Sequence, residues 1–273
     1  MRKTSHLLLT LMLMGCTALY AQDQDTTKPG WLLRREAREN AQWQKQQEKM
    51  YEKAVKDAQD ISAHELVDDL WGVNDPQVTR STDSMVLVLI PLPENEISQW
   101  TGSAAKNAPA SMKPQEMWWV SLDPQLSAFL QNEPIMDSSS LVVSVKQLLG
   151  LPPQSDYSYI AAFLVSPKNL FRPTPDPDPT IHYSSVTFPD QVDPAHKTWI
   201  EQCRKEAYTA QPPIAWTQLG YAYDWGNPVR PVGVSQFVVK SNAPIRVVSI
   251  SSLWYWYNQQ VNTSLSFPVK IIE

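Results

Sequence analysis

The spacing of apolar residues along the chain changes period several times. In residues 31–60, Leu33, Ala37 and Ala41 recur at four-residue intervals, and Tyr51, Ala54, Val55 and Ala58 follow a three-four spacing. Breakers are rare there and Arg, Glu, Gln, Lys and Ala abound, so the segment predicts one or two amphipathic helices with a thin apolar stripe. Such a stripe either clasps a main domain or pairs with a partner helix. Ser62 with Glu65 carries the capping-box signature of a short helix through Leu66, Val67, Leu70 and Trp71, with Gly72 placed to end it.

Beyond Gly72 the runs shorten to strand length. Residues 85–90 are continuously apolar and stop at Pro91 and Pro93, which predicts a buried strand. Residues 94–115 read as a surface excursion. Strands follow at 117–122 and 157–165, the latter with Tyr159, Ala161 and Phe163 on one face. Asp123-Pro124 and Asp193-Pro194 read as helix starts, and Ser139 or Ser140 as the cap of a helix over 141–149 closed by Gly150. Three C-terminal strands are expected at 234–239, 245–250 extending to 257, and 265–272. Their linkers are short enough for antiparallel neighbours. The sum is an α+β chain: a single domain over 62–273 with a mainly antiparallel sheet flanked by helices. A polar tether and amphipathic helical extension over 22–61 precedes it.

Residues 1–21 have the form of an export signal. Arg2 and Lys3 are followed by an apolar centre at 7–14 and by small residues leading to Ala21, after which Gln22-Asp23-Gln24-Asp25 turns polar. Cleavage near Ala21 is the first reading. The alternative rests on Leu13-Met14-Gly15-Cys16, which resembles the lipobox of bacterial lipoproteins and implies lipidation at Cys16. Either route leads across a bacterial inner membrane to the periplasm or a surface anchor. No apolar run approaches the roughly 18 to 20 residues of a transmembrane span.

Composition narrows the classes further. Of 273 residues, 42% are hydrophobic and 19% charged, as in a folded globular chain. Removing Arg2 and Lys3 with the leader takes Lys+Arg from 23 to 21 against 28 Asp+Glu, a net charge of −7. That balance disfavours nucleic acid and anionic membrane as partners. Only Cys203 remains after cleavage, placed on a helix as a small core residue, so no internal disulfide is expected. The 8 Gly are few, while the 23 Pro and 11 Trp are many, giving stiff loops and a surplus of rings.

Familiar catalytic patterns are missing: there is no G-x-S-x-G, H-E-x-x-H, C-x-x-C or G-x-x-x-x-G-K. Asp176, Asp178, His182, Asp193 and His196 fall close together in sequence, but a Pro-locked segment splays Asp176 from Asp178, and no metal or other cofactor is expected. Aromatic density is the stronger signal. Trp216, Tyr221, Tyr223 and Trp225 share a loop with Asp224 and Asn227, and Trp254 and Trp256 lie on one face of the expected strand. This C-terminal surface predicts stacking of a flat ligand, oriented by Asp224 and Asn227, or docking of a protein partner.

The run Gly233-Val234-Ser235-Gln236-Phe237-Val238-Val239, followed by Ile245-Arg246-Val247-Val248-Ser249, resembles the last strands of bacterial ADP-ribosyltransferase-type toxins. The resemblance implies Gln236 in the place of the family's acidic residue, Arg172 as the NAD-clamping residue and Tyr223 in the same cleft. With Gln instead of a carboxylate, it implies NAD hydrolysis in preference to transfer to a protein. The leading expectation remains a non-catalytic envelope module that binds a small molecule, glycan or protein. An NAD-consuming enzyme and a structural component of an envelope assembly are the alternatives.

Overall fold

The computed structural model describes residues 28–101 and 111–263. The leader, Cys16 and the strand expected at 265–272 lie outside these residues. Helix α1 spans Gly30–Gln59, and the chain divides into two compact units within it, between Lys49 and Met50. In the first unit the helix carries the ion pairs Lys28–Glu36 at 3.1 Å and Arg35–Glu39 at 2.8 Å, on exposed positions where such pairs contribute little. In the second unit its last turns bury Tyr51, Ala54 and Ala58 against Ala215, Tyr223 and Trp225. The three-four spacing puts those three side chains on one face.

The second unit holds strands β1 (Val86–Leu92), β2 (Ser111–Met112), β3 (Trp118–Leu122), β4 (Tyr159–Val165), β5 (Leu170–Phe171), β6 (Tyr221–Tyr223), β7 (Val232–Val239) and β8 (Ile245–Ser252). Helices α2 (Ile97–Thr101), α3 (Gln125–Leu130), α4 (Ser138–Leu148), α5 (Pro194–Thr209) and α6 (Leu253–Thr263) are interleaved with them. Among the described residues every pairing is antiparallel, in the order β2-β8-β4-β1-β3-β7-β5, with β6 beside β7. Helices with an antiparallel sheet make the fold α+β.

At β1 and β4 both faces of the sheet are covered, which is why these strands read as continuous apolar runs. On β1, Val86, Val88 and Leu92 enter one core with Phe163, Phe237 and Ile245. Leu87 and Leu89 enter a second with Leu126, Leu141, Val145 and Trp256, where α3, α4 and α6 pack. Each fully buried side chain of this kind contributes about 1.5–3 kcal/mol. Two helix starts follow local rules. Asp193 Oδ1 accepts the Ala195 N–H at 2.8 Å ahead of Pro194. Asp137, rather than Ser139 or Ser140, caps α4 by accepting the Ser140 N–H at 2.8 Å. The segment after Ser62 is only a short turn, Ala63–Glu65, instead of a helix reaching Trp71.

Two expectations about the C-terminal strands are corrected. β7 and β8 are not neighbours: β3, β1 and β4 lie between them. Four strand spacings measure about 19 Å in a flat sheet, close to the full reach of roughly 20 Å for six extended residues. The linker is not extended, since Asn242 has φ 60° and the Ala243 N–H donates to the Lys240 carbonyl. The sheet therefore curls until its two sides approach, and Phe163 and Phe237 fill the inside of the curl. The second correction concerns residues 253–257, which are helical in α6 and not a strand. Leu253 and Trp256 are buried while Trp254 and Tyr255 are exposed. That is a helical spacing, and docking on α4 overrides the β-preference of a Trp-Tyr run.

Candidate functional site

The aromatic residues expected to form a C-terminal binding surface are mostly used for packing. Trp216, Tyr221, Tyr223, Trp225 and Trp256 are all 5% exposed or less. The polar ends of Tyr221, Tyr223 and Trp225 are engaged as well, while the indole N–H of Trp216 is buried without a partner among the described residues. Tyr221 Oη donates to the Glu65 carbonyl, Tyr223 Oη to Asp57 Oδ2, and Trp225 Nε1 to the Leu151 carbonyl. Burial raises the pKa of both tyrosines, and Asp57 adds to the effect at Tyr223. Trp254 is half-exposed, stacked on Tyr257 at 6.2 Å, and Asn227 is exposed. Most of the rings the sequence offers as a surface are thus core, carried by β6, α6 and the loops beside them.

Asp224 and Asn227 do border a notch of about 190 Å³, with Glu133, Ser144 and Gln147 opposite. Asp224 is buried, and burial pushes its carboxyl up to about 6, with the Glu133 charge acting in the same direction. Its Oδ1 accepts the Gly226 N–H at 2.9 Å. Among the described residues no aromatic side chain borders this notch.

The trio implied by the toxin resemblance does not converge on a cleft. Arg172 is fully buried and donates to the carbonyls of Gly220, Trp71 and Ile181 at 3.2, 2.6 and 2.9 Å. Its guanidinium lies 4.6 Å from the Phe237 ring centroid, inside the curl. Gln236 neighbours Phe237 on β7, so its side chain points to the opposite face. Tyr223 is bonded to Asp57 on α1. Elsewhere, His182 Nδ1 pairs with the Leu70 carbonyl and His196 Nε2 with that of Thr174. Among the described residues no three His, Cys, Asp or Glu are grouped to hold a metal ion. Cys203 is buried, and burial pushes its thiol up to about 12.

A different cleft, of about 250 Å³, opens within the sheet itself. β1 pairs with β3 only at Val88–Leu122 and Leu89–Ser121. Yet β1 stays paired with β4 as far as Leu92, and β3 with β7 as far as Trp118. The two strands separate where Pro91 would meet Trp119. Leu87 accepts the Asp123 N–H, so the two-residue period aims the backbone of Leu89 and Pro91 toward β3 as well. Proline brings no N–H to that edge, and the ladder ends there.

The lining records the same split. Ile90, Pro91 and Leu92, three successive residues, border one cavity, as do the successive Trp118 and Trp119. Successive strand residues face opposite sides of a sheet, so both can meet one cavity only if it opens between strands. Trp100, Leu151, Tyr157 and Glu96 complete the walls. The rings are held in place from behind. Trp100 stacks on Trp118 at 4.5 Å, and both contact Phe163 at 5.9 Å. Trp119 stacks on Trp199 at 6.1 Å and meets Trp216 edge-on at 5.4 Å. Burial raises the carboxyl pKa of Glu96; it also raises that of the Tyr157 hydroxyl, where the charge of Glu96 contributes second.

None of these lining residues was singled out from the sequence as a site. The signal that could have found them is Pro91 inside a central strand, together with consecutive tryptophans on the strand beside it. Comparison with protein-family models, curated proteins and solved structures finds no match for this chain.

Proposed function

We propose that the protein is an exported component of a bacterial envelope that binds, without chemical turnover, a small ligand with a flat or apolar body. The leader-like residues 1–21 support export, and the acidic balance of 23 Lys+Arg against 28 Asp+Glu argues against a nucleic-acid role. The observation that carries the binding assignment is the opening between β1 and β3, with three tryptophans and a tyrosine on its walls. Most of these rings are braced by further aromatic side chains, so little ordering cost remains to be met on binding.

Melting of the purified protein with glycans, muropeptides, NAD and simple aromatic compounds tests this reading, because a ligand that binds only the folded state raises the melting temperature. The expected result is a rise with at least one compound that disappears in Trp118→Ala and persists in Trp254→Ala. A flat response throughout, or a rise that survives Trp118→Ala, would overturn the assignment.

A further inference from the structure

We infer that the cleft between β1 and β3 selects an organic cation, an ammonium group on an apolar body. The inference rests on the binding role assigned to the cleft above and adds the chemistry of the ligand. Among the described residues that line the cleft, Glu96 is the one charged side chain. Its carboxylate enters none of the ion pairs found among the described residues. Burial raises its pKa above the ordinary carboxylate value. Among the described residues the site thus presents an unpaired carboxylate in a mainly apolar wall. Three indoles line the same cavity, and indole attracts a cation more strongly than any other side-chain ring.

The alternative ligand of comparable size is a sugar, and the lining favours the cation. A polyol needs several polar partners around its rim, whereas the side chains here offer Glu96, Tyr157 and indole N–H groups amid Ile90, Leu92 and Leu151. The cavity, about 250 Å³, has the volume of roughly eight waters, enough for a compact alkylammonium ion and its substituent.

The test uses choline and its neutral isostere 3,3-dimethylbutan-1-ol, titrated into the purified protein at pH 8 with tryptophan fluorescence as the readout. Choline is expected to bind at least about tenfold more tightly than the alcohol. Glu96→Gln, at a partly exposed position, is expected to lower the preference for choline at least about threefold while the affinity for the alcohol stays unchanged. Equal affinities in the unaltered protein would overturn the cation inference and leave the cleft standing as a binding site. Choline selectivity that survives Glu96→Gln undiminished would overturn it too. Failure of both compounds to bind would remove this inference, while the melting series with ring-bearing compounds decides the broader reading separately.

Discussion

The ring of Trp100 lies 4.5 Å from that of Trp118 with the planes 28° apart, so a residue of α2 and a residue of β3 form one stacked wall of the cleft. Trp100 is 5% exposed and belongs to the inner core of the curled sheet. Trp100→Ala is therefore expected to lower stability by about 3–5 kcal/mol in urea unfolding. A loss below about 1 kcal/mol would show that the ring is not part of the core.

Arg172 is expected to behave as a structural residue. Its guanidinium is fully buried and serves three backbone carbonyls. Removing it leaves those acceptors unsatisfied, so Arg172→Ala should cost more than about 3 kcal/mol. Arg172→Lys should recover only a part, because an ammonium lacks the planar fork. Urea unfolding of the two variants checks this. A fully stable Arg172→Ala protein would return the residue to consideration as a ligand clamp.

Gly233 lies where β7 passes the end of α4. A Cβ at that position would fall 2.8 Å from the Ala222 carbonyl oxygen and closer still to that of Leu148. Neither backbone atom can yield as a side chain does. Gly233→Ala is expected to destabilise by about 3 kcal/mol or more, or to prevent folding, by circular dichroism during heating. An unchanged melting curve would contradict the close approach of these segments.

Asp224 gives a dependence on pH with a defined sign. Burial lifts its carboxyl to about 6, above the ordinary 3.8. An acid that holds its proton more tightly when folded stabilises the protein most at low pH, and that contribution disappears as pH rises from about 4 to 6. Relative to Asp224→Asn, the unaltered protein should lose up to about 3 kcal/mol across that window and change little above it. Urea unfolding of both proteins at pH 4 and pH 7.5 measures the difference. A difference independent of pH would show that Asp224 is solvated like an exposed acid.

The elements that read most clearly from the sequence are those whose period is set locally. The run at β1, the alternation of Tyr159, Ala161 and Phe163 on β4, and the Asp193-Pro194 start of α5 are of this kind. What was hidden depended on partners far along the chain. Trp254–Tyr257 has the composition of a strand, and its docking through Leu253 and Trp256 makes it a helix. The cleft was hidden for the same reason. Glu96, Trp100, Trp118 and Tyr157 span some sixty positions and meet only because β1, β3 and β4 lie side by side. Conversely, Trp216, Tyr221 and Trp225 clustered in sequence and proved to be core. Local density of rings marks a site only where the backbone leaves room beside them.

The most direct test of the cleft follows the indole N–H resonances by two-dimensional NMR while choline is added, with signals assigned from single Trp→Phe variants. The account predicts saturable shifts at Trp100, Trp118 and Trp119, and none at Trp254. Shifts centred on Trp254, or no shift at any indole, would contradict it.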